Sequence, residues 1–142
     1  MPSFGPQSKS VLDTCCRDLN VVCNRAIQRV DFSVIEGVRD TATQQRYFRE
    51  NKTTLDGVTQ LSKHQLKPGQ THSHAVDLLP YPGVLNGVNV WADDFRFTLF
   101  AGEMLATGWE VGVELRWGGD WNGDGSRADQ TFHDLPHFEV VY

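Results

Sequence analysis

An α+β architecture, a small antiparallel sheet flanked by helices, is what this sequence predicts, and three observations predict it. Helix-length amphipathic segments and short apolar runs come in blocks, with few residues between the strands, rather than in strict alternation. The 142 residues suit one compact domain over 1–142, and a hydrophobic share of 39% is enough to furnish its core. No internal repeat, linker or compositional break divides the chain.

Each element has its own signal. Leu12, Cys15, Leu19, Val22 and Ala26 recur at steps of three and four, widened by Cys16, Cys23 and Ile27, so Ser10 to Ile27 is expected as one amphipathic helix. Phe32 to Gly37 reads as a strand ending at a glycine. Thr41-Ala42-Thr43-Gln44 has capping-box spacing and predicts a helix from Thr41 to Glu50. Arg39 falls in the turn between that strand and that helix, where a side chain can be presented. From Asn51 to Thr71 the chain is polar and irregular, with a turn at Pro68-Gly69. Ala75-Val76-Asp77-Leu78-Leu79 is an apolar run broken by one acid and reads as a buried strand, ended by Pro80-Tyr81-Pro82-Gly83. A third helix is expected from Asp93 to Ala106, acids in its first turn and Gly108 beyond its end. Leu115 to Trp117 and His137 to Val141 are the remaining strands.

The totals exclude several classes. A net charge of −5 without a lysine- or arginine-rich cluster argues against nucleic acid as a partner. No stretch approaches the roughly 18 to 20 apolar residues of a membrane span, so no membrane insertion is expected. The first residues carry no basic region followed by an apolar run, so no secretory signal is expected. Cys15, Cys16 and Cys23 are odd in number and clustered, with no histidine nearby, and read as reduced thiols rather than a disulfide framework or zinc site.

Chemistry concentrates in two distant segments. Ser62-Lys63-His64 and Ser73-His74-Ala75-Val76-Asp77 lie in one, Asp134-Leu135-Pro136-His137-Phe138 in the other. Together they offer two histidines and a carboxylate as metal ligands and leave a second carboxylate, Asp134, three residues from one of them. Two His, one Asp and a free acid suit a zinc hydrolase with an open coordination position. Asp77 inside an apolar run needs a cation, whether a metal or an ion-pair partner. The bland alternatives are a structural hydrogen bond at Asp77, satisfied structural histidines at His64 and His137, and an ion pair of Arg39 with Glu36 or Asp40.

These residues carry a family likeness. Ser62-x-His64, Ser73-x-Ala75-x-Asp77, Trp117-Gly118-Gly119-Asp120-Trp121 and Asp134-x-x-His137-Phe138-Glu139 resemble the LAS-type zinc peptidases, which include D-alanyl-D-alanine carboxypeptidases and the L-alanyl-D-glutamate peptidases used as phage endolysins. The likeness spans about Glu36 to Val141. It implies a fold of the hedgehog/DD-peptidase kind, with zinc on His64, Asp77 and His137, Asp134 as general base, and Arg39 binding substrate. The usual first motif has a shorter His-to-Asp interval; here Gln65 to His72 form an enlarged loop and Ser73 replaces a glycine, so His72 and His74 are rival ligands to His64. His133 is expected to be exposed. The resemblance also implies a peptidoglycan peptide as substrate and a phage endolysin that reaches the wall from the cytoplasm of an infected host. The alternatives are a D-alanyl-D-alanine carboxypeptidase and a non-catalytic zinc-containing wall-binding module. A monomer is expected.

A second metal candidate follows from spacing alone. Asp120-Trp121-Asn122-Gly123-Asp124-Gly125-Ser126 matches the first half of a calcium loop, with oxygen side chains at alternate positions and a glycine at the sharp turn. Thr131 stands where a bidentate glutamate is usual, and Asp129 can complete the shell instead. The bland reading is an ion-free turn. Trp91, Trp109, Trp117 and Trp121 can be core residues or line a groove, the last two being candidates for a cleft.

Overall fold

A computed structural model describes residues 1–142. Four helices, α1 (Pro6–Leu12), α2 (Arg17–Ala26), α3 (Thr41–Arg49) and α4 (Asp94–Val111), accompany six strands: β1 (Phe32–Glu36), β2 (Ala75–Pro80), β3 (Val84–Leu85), β4 (Val88–Asn89), β5 (Leu115–Trp117) and β6 (His137–Val140). The main sheet is antiparallel throughout, in the order β1-β2-β6-β5. The expected α+β arrangement is therefore present.

Strand alternation divides the sheet into two functions. Val76 and Leu78 on β2, and Phe138 and Val140 on β6, point to one face and join the core. Leu19, Val22, Cys23 and Ala26 of α2 and Phe97, Phe100, Ala101 and Met104 of α4 cover that face. Phe100 meets Phe138 edge-on, ring centroids 5.9 Å apart. Truncating a ring buried like that of Phe138 would cost about 3–5 kcal/mol. Asp77, His137 and Glu139, the intervening residues, point to the opposite face.

The structure corrects the element boundaries where tertiary pairing outweighs local pattern. The expected Ser10–Ile27 helix is two helices. Between them, Ser73 N–H donates to Thr14 O and Cys16 N–H to Ser73 O. The amide of Asn20 then donates to the carbonyls of Leu12, Cys15 and Cys16, tying the end of α1 to the start of α2. The cap of α3 is Asp40, whose carboxylate accepts from Thr43 N–H, rather than Thr41. Gln44, expected to close a capping box, is instead buried and serves the site. Helix α4 runs past Ala106 to Val111 and ends at Gly112, left-handed at φ 77°. Gly108 lies inside it because a Cβ there would fall 2.5 Å from Val113 O. The β3–β4 hairpin, closed by Asn86-Gly87 with φ of 51° and 79°, was not anticipated.

Candidate metal centre

Register brings the two distant segments together. Asp77 on β2 pairs with His137 on β6, and Glu36 on β1 lies opposite Asp77 beyond a bulge. His64 arrives from the loop after α3, fixed by its neighbours: its N–H donates to Ser62 Oγ, Gln65 side-chain oxygen accepts from Ser62 N–H, and Gln65 Nε2 donates to Gly57 O. His64 Nδ1 lies 2.7 Å from Gly37 O, which only a protonated nitrogen can satisfy. Nε2 is thereby left with its lone pair, 3.2 Å from both Asp77 Oδ1 and His137 Nδ1. On the other ring, His137 Nε2 lies 2.8 Å from Glu139 Oε1, so Nδ1 is the nitrogen facing His64.

One ligand atom from each of His64, Asp77 and His137 lies within 4.8 Å of the others, and all three residues are buried. With each imidazole neutral, three electron-pair donors converge with no hydrogen between them. That set fits a divalent cation. Without one, a proton substitutes. Burial would lower His137, but its hydrogen bonds to Asp77 and Glu139 and the charges of Asp77 and Asp134 raise it to about 9. Asp77 lies far below the usual carboxylate range, because the two histidines overcome the opposing effect of burial.

Asp134 stands beside this cluster, Oδ2 3.9 Å from His137 Nδ1. A turn closed by His137 N–H on Asp134 O holds the pair, and Asp134 N–H donates to Gly118 O. Burial first, and the Asp77 carboxylate second, raise Asp134 to about 6 against the pull of His137, His64 and Arg39. Arg39, largely buried, ion-pairs with Glu36 through Nε, donates from Nη1 to Gln44, and brings Nη2 to 3.5 Å from Asp77 Oδ2. The ion pair with Glu36 and a place at the cleft thus coexist. The guanidinium lies 4.7 Å over the Tyr47 ring.

All five residues border a cleft of about 590 Å³, walled by Tyr47, Lys52, Leu55, Leu61, Lys67, Trp121 and Phe132 among others. Trp121 stacks on Phe132 and its ring lies 5.3 Å from that of His137. Trp117 is buried in the core, while Trp91 and Trp109 are exposed away from the cleft. The rival ligands do not reach the centre. Exposed His72 meets Thr71, and His74 meets Gln70 and the Tyr142 ring. His133 is exposed beside Arg127 O.

In the candidate calcium loop, Asn122, Asp124 and Asp129 lie together, while Asp120 turns to the backbone and the three carboxylates do not converge on one point as the His64 group does. Asn122 Nδ2 reaches Asp129 Oδ2 at 2.9 Å and Asp124 Oδ2 at 3.3 Å, and Asp120 Oδ2 accepts from Gly125 N–H. Asp120 Oδ1 is buried without a partner. Ser126 Oγ turns instead to Ala128 N–H.

Residue-by-residue reading missed Gln44, Lys63, Lys67, Tyr47 and the role available to Glu139. Only Glu139 had a signal, since two residues along a strand from His137 it shares a face with it.

No helix is long and apolar enough to cross a membrane. The family model described as phage L-alanyl-D-glutamate peptidase matches residues 2–141. The L-alanyl-D-glutamate peptidase of Escherichia phage T5 is 29% identical over 143 residues, covering 97% of both chains. The crystal structure of the Serratia marcescens L-Ala D-Glu endopeptidase ChiX matches with a TM-score of 0.71 and 28% identity, covering 97% of this chain and 89% of that one. With a match over nearly its whole length, the chain belongs to the phage L-alanyl-D-glutamate peptidase family.

Proposed function

We propose that this protein is a zinc peptidase that hydrolyses the L-alanyl-D-glutamate bond of peptidoglycan stem peptides, as a phage endolysin. The observation that carries the reading is the convergence of His64, Asp77 and His137 with Asp134 alongside, in a chain that shares most of its length with peptidases of that name. His64 Nε2, an Asp77 oxygen and His137 Nδ1 would hold the ion. When bound, zinc acidifies a water molecule and polarises a carbonyl.

The chain's own groups supply the rest. Asp134 accepts a proton from the attacking water as the water oxygen bonds to the L-alanyl carbonyl carbon, and returns it to the departing D-glutamyl nitrogen as the C–N bond breaks. Its place beside the cluster, Oδ2 3.9 Å from His137 Nδ1, puts it within reach of both transfers. Arg39 has three of its five N–H groups directed to Glu36, Gln44 and Asp77, which leaves two for a substrate oxygen. Trp121 and Phe132 form an apolar wall beside His137 that limits water at the reacting bond.

The test is digestion of purified cell wall with and without a chelator, reading new termini by mass spectrometry. New L-alanine C-termini that vanish on chelation support the reading. Free D-alanine would instead identify a carboxypeptidase, and zinc binding without any cleavage a binding module. Asp134→Asn should keep one zinc per chain and the fold while losing about 10²–10⁴-fold in kcat. Full activity in that variant removes the general-base assignment.

The enzyme works as a monomer that meets the wall from the cytoplasm of an infected bacterium. Calcium binds the Asp120–Asp129 loop and orders the approach to Asp134; the unpartnered, buried Asp120 Oδ1 supports this. Calorimetric titration giving no heat with calcium would remove the second ion.

A further inference from the structure

Glu139 and Lys63 are so far without a role in the proposed chemistry, yet their placement is specific. Glu139 is 7% exposed, and its two oxygens divide their partners. Oε1 lies 2.8 Å from His137 Nε2, while Oε2 lies 3.4 Å from both Lys63 Nζ and Arg116 Nη1. Lys63 also donates to Val140 O at 2.6 Å. Lys63 adjoins His64, Arg116 sits on β5, and Glu139 and Val140 sit on β6. One buried carboxylate therefore joins the loop of the first imidazole to the strand of the last.

We propose that Glu139 is a positioning residue that orients His137 and sets the affinity of the His64–Asp77–His137 centre for its metal. This rests on the zinc reading above. An ionised carboxylate at Nε2 can only accept, so it requires the imidazole proton there and leaves the Nδ1 lone pair facing His64 Nε2 and Asp77. It also fixes the ring about its bond to the strand and, being charged, makes Nδ1 a stronger electron donor than a neutral acceptor would. His64 receives the corresponding constraint from the neutral carbonyl of Gly37. Lys63 contributes by keeping Glu139 ionised and placed. Its Nζ and Arg116 Nη1, each 3.4 Å from Oε2, flank the buried carboxylate with two cations.

The alternative is that Glu139 only neutralises Lys63 and Arg116, in which case its loss weakens the fold without altering the metal site. Zinc affinity, read by chelator competition on folded protein, separates the two. The expected result is a 10–100-fold weaker zinc affinity in Glu139→Ala, with a smaller loss in Glu139→Gln, whose amide oxygen can still accept from Nε2. In zinc-loaded wild-type protein, nitrogen-resolved NMR should show a His137 Nε2–H protected from solvent exchange, and that protection should be lost in Glu139→Ala. Should Glu139→Ala fail to fold, Glu139→Gln and Lys63→Met give the same readout, each expected to bind zinc more weakly than wild type. Folded variants that bind zinc as tightly as wild type, with the Nε2–H still protected, overturn the inference and leave the zinc reading intact. Wild-type protein without zinc affinity overturns the zinc reading itself, and this inference with it.

Discussion

Gly118 decides where the proposed base stands. A Cβ built on it would lie 2.1 Å from Asp134 O and 3.0 Å from Asp134 Cβ. The two residues are also bonded backbone to backbone, Asp134 N–H to Gly118 O, while Gly118 N–H donates to His137 O. Any side chain at 118 must push the 134–137 turn away from the sheet. Gly118→Ala should therefore lower kcat by about 100-fold, the scale of an ångström misplacement of a reacting group. Because the same turn carries His137, zinc affinity should fall as well, with His64 and Asp77 on other segments left in place. Metal analysis beside a wall-lysis assay checks both halves, and an active Gly118→Ala enzyme would mean that Asp134 need not stand where Gly118 holds it. At this scale the sequence was most informative where a residue's chemistry conflicts with its surroundings. Asp77 in an apolar run is such a case, and so is Asp134 three residues before a histidine. It was silent on Gln44, because a buried amide bonded to Arg39 Nη1 and Leu55 O has no local signature.

At the scale of elements, the loop between α3 and β2 does more than connect. Asp56 gathers the N–H groups of Val58, Thr59 and Gln60 and the hydroxyl of Thr59, which hold its carboxyl well below the usual range. Gln65 and Gln44 then sew the folded loop to α3 and to His64. The enlarged segment Gln65 to His72 brings Lys67 to the cleft. Arg39, Lys63 and Lys52 each have an acidic partner there, in Glu36, Glu139 and Glu50, whereas Lys67 has none. A stem peptide carries carboxylates, so Lys67 is the cation available to attract one. Lys67→Ala should raise KM roughly two- to five-fold with kcat little changed, as an exposed charge pair is worth. The increase should shrink as salt is added, because exposed charges are screened. Steady-state kinetics on a stem peptide at two ionic strengths measures this, and an equal loss in kcat would place Lys67 in the chemical step instead. Element identity was largely readable from periodicity, but boundaries moved wherever backbone pairing over long range intervened. The break at Thr14–Cys16 exists because Ser73, far along the chain, needs those backbone partners.

Across the whole molecule the sheet separates two kinds of stability. Its apolar face is held by burial under α2 and α4, while the polar face is held by charges that a metal would complete. The helical layer carries one charge network of its own, remote from the cleft. Arg25 and Arg29 of α2 and its C-terminal turn meet Glu110 and Glu103 of α4, with Arg29 Nη1 3.0 Å from Glu110 Oε2 and Nε 3.2 Å from Glu103 Oε1. These hydrogen bonds and charges lower the Glu110 pKa from its ordinary 4.5. A carboxyl whose pKa is lower folded than unfolded binds fewer protons in the native state. Its contribution is present above the unfolded value and disappears as pH falls through the folded one. Glu110→Gln should accordingly melt below wild type at pH 7, and the gap should narrow as pH falls beneath 4.5 and close once pH passes the lowered folded value, where wild-type Glu110 is neutral too. Being exposed, the network should also lose part of this gap in high salt. Paired thermal melts of wild type and variant across pH, followed by circular dichroism, remove contributions common to both, including those of the metal centre. A gap that stays constant through the acid range would mean that Glu110 joins α2 to α4 by shape and hydrogen bonding rather than by its charge.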